Sequence, residues 1–172
     1  MIVTILFVVI FASMIVEASV SNRHDRALRA AGAIEPRGDV YKAMQSAYPA
    51  AFLVMLAEGA VRGSSTDGVF WIGAAIYVAA KALKYWAIST LGTRWTFRVL
   101  VPPDSTRIVS GPYRLMRHPN YAAVTGELAG TALMAHALIA GPLATIGFTA
   151  LMVARIRVEE RALCRSRSIE RR

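Results

Sequence analysis

The first twenty residues, MIVTILFVVIFASMIVEASV (1–20), form an apolar run that contains one charge, Glu17. A helix that crosses a bilayer needs about 20 mostly apolar residues, so this run predicts a membrane span. The alternative interpretation is a cleaved signal peptide, which would require a basic region before the apolar run. No such region precedes it, and we therefore expect a first transmembrane helix.

Four more apolar segments follow this run along the chain. They cover residues 44–61, 68–91, 121–140 and 141–154, and the last extends to Val158 past Arg155 and Arg157. The fourth and fifth segments meet at Gly141-Pro142, which predicts a tight helical hairpin there. Hydrophobic residues make up 55% of the 172 residues, and charged residues make up 18% against about 25% in a typical soluble domain. The sequence therefore predicts an all-α fold, an integral membrane bundle of about five transmembrane helices.

This bundle is expected to be one domain, residues 1–172. Residues 1–91 hold three spans and a basic segment at 21–43, where residues 21–31 are expected to form an amphipathic surface helix. Residues 92–172 hold a polar loop, the hairpin and a charged C-terminal helix. Because Cys164 is the one cysteine, the sequence excludes an internal disulfide and a Cys-x-x-Cys metal site, and we expect no metal.

The basic residues behind the net charge of +9 are distributed unevenly between the links. They concentrate in 21–43, 92–120 and the tail after Ala154, whereas the link after the second span carries only Arg62. The positive-inside rule then puts the N-terminus outside and the C-terminus in the cytosol, as in a bacterial inner membrane. The basic excess is explained by orientation and by contact with anionic membrane lipids, so we do not expect nucleic acid as a partner. No feature of the sequence indicates an oligomeric state.

The densest polar stretch is GPYRLMRHPNY (111–121), directly before the fourth span. Pro119 disfavours the helical conformation at His118, and Asn120 is predicted to be the N-cap of the next helix. Arg117, His118 and Tyr121 would then lie at a helix N-terminus, where backbone N–H groups attract anions. The simpler interpretation is a basic loop at the membrane surface.

A second charged cluster, RIRVEER (155–161), follows the fifth span. Arg155 with Glu159 and Arg157 with Glu160 have helical pairing distances, so the simpler interpretation is a salt-bridged helix end. The hairpin would bring this cluster to the same cytosolic face as the 111–121 loop. Together they suit a zwitterionic ligand that also carries a positive charge.

The segments LGTRWTFRV (91–99), GPYRLMRHPNY and RVEERAL (157–163) occur in that order. In this order they resemble the isoprenylcysteine carboxyl methyltransferase family, which is related to membrane phospholipid methyltransferases with a similar Arg-His-Pro-x-Tyr and Glu-Glu pattern. The residues of these segments are most similar to those of short bacterial members, some of which methylate long-chain alkyl phenols or pyrones. The resemblance covers roughly residues 85–163.

What the resemblance implies is S-adenosylmethionine bound in a cytosolic pocket of the C-terminal half. The cofactor-binding residues that carry over are Tyr113, Arg114, Arg117, His118, Pro119, Tyr121, Glu159 and Glu160. Arginine can pair bidentately with the methionine carboxylate, and glutamate can take the amino group or the ribose hydroxyls. An aromatic face near the sulfonium would add a cation–π contact.

The implied reaction is methyl transfer to a lipophilic acceptor, with Arg117 and Glu127 as the catalytic candidates. A small molecule, a prenylated cysteine, a lipid-like phenol and a phospholipid amine remain open as acceptors. Glu127 could steer or deprotonate the acceptor, or pair with Arg94 or Arg98, which we favour. A non-catalytic small membrane protein, such as an assembly factor or transporter subunit, is the alternative. Lys81 and Lys84 are expected to anchor the third span at the cytosolic interface.

Overall fold

The computed structural model describes the backbone of residues 1–35, 40–102 and 108–170, and the side chains of these residues up to 158. Five α-helices account for most of this part of the chain. They are α1 (Ile2–Ala30), α2 (Tyr41–Arg62), α3 (Gly68–Leu91), α4 (Pro119–Met134) and α5 (Ala140–Glu170). In the described ranges the only β pairing is an isolated antiparallel bridge between Ile34 and Val101. The all-α prediction is confirmed for the described residues.

Two of these helices are long and apolar enough to cross a membrane. They are α1, with a mean hydropathy of 2.4 in its most apolar stretch, and the Ala140–Val158 part of α5, with a value of 1.2. Helix α4 has 16 residues, fewer than the roughly 20 that a span requires. Each of the five predicted apolar segments nevertheless corresponds to a helix.

Helix α1 runs unbroken from the apolar N-terminal stretch into the basic segment. The predicted surface helix at 21–31 is therefore the continuation of the first span and not a separate element. Its outer face exposes Arg23, Arg26 and Arg29, while Asp25 and Leu28 are buried.

The connection between α4 and α5 differs from the predicted Gly141-Pro142 turn. Helix α4 ends at Met134, and α5 begins at Ala140, so Gly141 and Pro142 lie in the first turn of α5. Proline is favourable there because the first helical N–H groups have no partner within the helix. The Glu58 carboxylate on α2 accepts from two of these amides, Ile139 N at 3.1 Å and Ala140 N at 2.6 Å. Residues 135–139 form the turn, with His136 at a φ of 51°.

Helices α3 and α4 pack backbone against backbone because glycines face each other. A Cβ atom at Gly73 would lie 2.7 Å from the carbonyl oxygen of Gly130, and one at Gly130 would lie 2.8 Å from that of Gly73. Small residues allow this close approach of helices. The same face of α4 then holds Glu127 against Lys84 on α3. This contact positions one wall of the candidate site.

Candidate functional site

A cavity of about 820 Å³ opens between the C-terminal half of α1, the start of α2, the start of α4 and the last described turns of α5. Small-molecule sites commonly have volumes of about 300–1,000 Å³, so this cavity has the size of a ligand site. Apolar side chains line one part of it, namely Phe11, Met14, Met44, Val124, Phe148 and Met152. Polar residues of the 111–121 loop line another part, and the two parts face the same space.

The Arg-His-Pro-x-Tyr motif forms the start of α4. The helix begins at Pro119, and His118 is the N-cap with φ −133° and ψ 64°. The prediction that Asn120 is the N-cap is therefore wrong, because proline already fits the first helical position, where its missing N–H is not needed. Asn120 lies inside the first turn and lines the cavity, and its Oδ1 atom is buried with no hydrogen-bond partner among the described residues.

Arg155 on α5 joins this motif through a direct contact. Its Nε donates to the Tyr121 hydroxyl at 3.1 Å, and Arg155 is buried and lines the cavity. The expected meeting of the 111–121 loop with the end of the fifth span is thus present at Tyr121 and Arg155. The sequence pattern predicts only the pairing of Arg155 with Glu159, because the contact to Tyr121 depends on how α4 and α5 pack.

The cofactor-binding residues predicted from sequence lie in three different situations. Tyr113, Arg117, His118, Pro119 and Tyr121 all line the cavity. Arg114 is exposed and is not among the lining residues. Glu159 and Glu160 lie on α5, just beyond Arg155, and their side chains are outside the described part of the chain.

Residues 94–102 form a strap, which is a further wall of the cavity that the motifs did not predict. It crosses the C-terminal half of α1, where Phe97 N donates to Ser21 Oγ at 2.8 Å, and the His24 ring nitrogen Nδ1 lies 2.8 Å from the Trp95 carbonyl oxygen. Trp95 is buried at 3% exposure. The segment LGTRWTFRV (91–99) is the part of the sequence that forms this wall. In the sequence it supports only the family resemblance and does not by itself indicate a cavity wall.

Arg98 fixes this strap to the basic segment. Its guanidinium lies 3.3 Å from Asp25 and 2.9 Å from Glu35, and it sits 4.4 Å from the centre of the Tyr41 ring. Burial acts to raise the pKa of Glu35, but hydrogen bonds from Arg29 and Arg98 outweigh it, and the pKa of Glu35 is lowered.

Glu127 belongs to a buried charge cluster made of Glu17, Tyr48, Lys81, Lys84 and Glu127, with members on α1, α2, α3 and α4. Lys84 Nζ lies 3.0 Å from Glu17 Oε2 and 2.8 Å from Glu127 Oε1. Lys81 Nζ lies 2.7 Å from Glu17 Oε1, and the Tyr48 hydroxyl donates to the Glu127 carboxylate. Glu17, Tyr48 and Lys84 line the cavity, whereas Glu127 lies behind them.

Two expectations are corrected by this cluster. Lys81 and Lys84 do not anchor α3 at the interface, since Lys84 is 2% exposed and both ammonium groups face carboxylates. Glu127 does not pair with Arg94 or Arg98; its described partners are Lys81, Lys84 and Tyr48. The physical reason is that a charge inside a bundle is tolerated only with an opposite charge beside it, and Glu17 and Glu127 supply it.

Comparison with known proteins gives one family and two relatives. The model of the isoprenylcysteine carboxyl methyltransferase family matches residues 72–165, which include the strap, the 111–121 loop and α4. The chain is 29% identical over 160 residues to the uncharacterized protein YpbQ of Bacillus subtilis (strain 168), covering 92% of this chain and 95% of that protein. It is 28% identical over 162 residues to an uncharacterized protein of Haemophilus influenzae, covering 94% of each. No solved structure matches.

Proposed function

Because the chain belongs to the isoprenylcysteine carboxyl methyltransferase family, a family of membrane methyltransferases, we propose that it transfers a methyl group from S-adenosylmethionine to a lipophilic acceptor. The observation that carries the proposal is the cavity itself. Its polar part is built from the Arg-His-Pro-x-Tyr motif, and its apolar part faces the same space from α1, α2 and α5. A hydrophilic methyl donor and a hydrophobic acceptor both find complementary walls in this arrangement.

The chemistry of the polar wall fits the methyl donor. The Arg117 guanidinium is suited to pair bidentately with the methionine carboxylate. The buried Oδ1 of Asn120, which has no hydrogen-bond partner among the described residues, is an acceptor for the amino group or a ribose hydroxyl. The rings of His118 and Tyr121, whose centres are 5.5 Å apart, offer aromatic faces to a sulfonium. In the proposal, Glu159, Glu160, Tyr113 and Arg114 complete the donor-binding set.

Methyl transfer depends mainly on how the donor and the acceptor are positioned. The sulfonium supplies a methyl group on a good leaving group, so the residues of the chain have to align the acceptor and exclude water. The strap and α1 line the cavity together with α4 and α5. We propose Arg117 as the catalytic residue that contacts the reactants. Glu127 lies behind Tyr48 and Lys84, so its proposed role is to position these two side chains.

The acceptor sets whether a base is needed. A carboxylate has a reference pKa near 4 and is ionised at neutral pH, whereas a phenol near 10 profits from a base. Of the acceptors left open, the proposal takes two classes, an isoprenylcysteine-like carboxylate and a long-chain alkyl phenol or pyrone. Both carry the hydrocarbon chain that the apolar wall suits.

We place all five helices in the membrane, with the N-terminus outside and the C-terminus in the cytosol. Two helices, α1 and α5, are apolar enough by themselves. The charges on α3 and α4 pair with each other and with Glu17, which lowers the cost of burying them in a bundle. The basic segments then lie on the same side as the cavity, next to anionic lipid headgroups.

The test is a calorimetric titration of the detergent-purified protein with S-adenosylmethionine. We expect saturable binding, and Tyr121→Phe should weaken it roughly tenfold, because it removes the hydroxyl that accepts the hydrogen bond from the charged Arg155. His118→Ala and Glu160→Gln should also weaken it.

Tyr85→Phe is the matched control, since Tyr85 is exposed and lines no cavity, and Cys164→Ser is a second one. Both controls should bind like the parent chain. A folded parent chain that binds no S-adenosylmethionine would overturn the proposal in favour of a non-catalytic membrane protein.

A further inference from the structure

A second, open groove of about 880 Å³ runs between α2 and α5. Small residues of both helices create it, since they leave space where larger side chains would interlock: Ala47, Ala51, Ala57, Ala140, Ala144 and Gly147. The groove ends at the ion pair of Glu58 and Arg62, whose atoms lie 2.6 Å apart. From Ala47 to Glu58 the groove follows α2 for roughly 16 Å, at about 1.5 Å per residue.

Phe148 is the one residue, in the part of the chain that the structure describes, that lines both this groove and the cavity. Its side chain is buried at 5% exposure, and its ring centre lies 5.2 Å from that of Tyr48. Phe148 therefore belongs to the walls of both the space at the Arg-His-Pro-x-Tyr motif and the space between α2 and α5.

We propose that the groove holds the hydrocarbon chain of the acceptor and that Phe148 is the residue that selects which chains pass into it. This inference rests on the proposed function, because it needs an acceptor whose reacting end lies in the cavity. Continuity is the argument: on α5 the lining of the groove runs up to Phe148 and Leu151, the lining of the cavity runs from Phe148 to Arg155, and Phe148 belongs to both. The lining between Phe148 and Glu58 is apolar, so it suits a linear alkyl or prenyl chain and no polar group.

Gly147 offers a way to fill the groove without disturbing the fold. A Cβ atom at Gly147 would meet no atom within 4 Å, unlike one at Gly73, which would clash at 2.7 Å. The variant Gly147→Leu therefore blocks the groove next to Phe148 and leaves the cavity walls unchanged. Phe148→Ala does the reverse and widens the passage, with Phe7→Ala as its matched control, since Phe7 is exposed and lines neither space.

The experiment uses the protein in lipid nanodiscs and a series of 4-alkylphenols that carry a photoactivatable diazirine at the end of the chain. Mass spectrometry then maps the labelled residues. We expect the longest probe to label groove residues such as Ala144 and Leu151, and excess unlabelled 4-alkylphenol of the same length to suppress the label. Gly147→Leu should reduce this label at least fivefold, whereas Phe7→Ala should leave it unchanged. Phe148→Ala should increase groove labelling by a branched-chain probe.

Three results would overturn the inference: groove labelling that unlabelled alkylphenol does not suppress, labelling confined to the cavity, or equal labelling in Gly147→Leu. The calorimetric titration with S-adenosylmethionine is repeated on the same samples, and Gly147→Leu should bind the donor normally. Failure of donor binding speaks against the proposed function, while the labelling map judges the groove independently.

Discussion

Lys84 shows how much a single side chain can depend on its neighbours. Its ammonium is 2% exposed and is surrounded by two carboxylates and the Tyr48 hydroxyl. Removing one partner from a buried ion pair is costly because the other charge stays behind without compensation. Lys81 is less enclosed, at 12% side-chain exposure, and lies 3.5 Å from Glu127. The two lysines of one helix are therefore not equivalent.

We expect Lys84→Met to lower the free energy of unfolding by about 3 kcal/mol, since Glu17 and Glu127 then share only Lys81. Lys81→Met should cost clearly less, because Lys81 is less enclosed and Lys84 still pairs with both carboxylates. Denaturant unfolding in mixed micelles measures both. Lys42→Met, at an exposed position on α2, is the control and should be nearly neutral. Equal losses in all three variants would contradict the assigned burial.

At the scale of elements, the start of α3 and the turn before α5 are held together by Asp67. Its carboxylate caps α3 by accepting from Phe70 N at 3.0 Å, and His136 Nε2 lies 3.0 Å from its second oxygen. The hydrogen bond from the Phe70 amide, followed by that from His136, lowers the pKa of Asp67 from 3.8 to about 2. The carboxylate form is thus favoured in the folded protein.

A pH dependence follows from this lowered pKa. A group with a lower pKa in the folded than in the unfolded chain stabilises the fold above its unfolded value, and that contribution is lost as the pH falls. For Asp67 the loss falls between pH 3.8 and about 2. Asp67→Asn keeps a capping side chain but cannot ionise. We therefore expect its melting temperature to depend less on pH in this window than that of the parent chain. An acid limb as steep as that of the parent chain would refute this role of Asp67.

The existence and type of the helices could be predicted because long apolar runs and charge-rich links mark them directly. The turn at 135–139 was misplaced because Gly-Pro is typical of turns and also of a helix start. The partners of Lys81 and Lys84 could not be predicted, since Glu17 is 64 and 67 residues away and the pairing depends on helix rotation. The Arg-His-Pro-x-Tyr part of the candidate site could be predicted from its motif. The contact of Arg155 with Tyr121, the strap and the position of Phe148 could not, because they depend on how the helices pack.

At the scale of the whole molecule, the proposed orientation puts the 135–139 turn and the 111–121 loop on opposite sides of the membrane. Leu138 is 71% exposed in that turn, and Arg114 is exposed in the loop. In a Cys164→Ser background, an impermeant maleimide added to intact cells should label Leu138→Cys and leave Arg114→Cys unlabelled until the membrane is opened. The reverse pattern would mean that the loop lies outside and the turn in the cytosol. Labelling of both cysteines in intact cells would exclude that the turn and the loop lie on opposite sides.

The buried charge cluster also has a consequence for how the chain is made. Glu17 leaves the ribosome 64 residues before Lys81, so α1 first meets the membrane with an uncompensated acid. Synthesis of α3 adds two ammonium groups and leaves an excess of one positive charge, which only Glu127 on α4 removes. The charge of the cluster is thus negative after α1, positive after α3 and balanced after α4. In the proposed five-helix arrangement, the cluster is neutral only when the fourth helix has arrived.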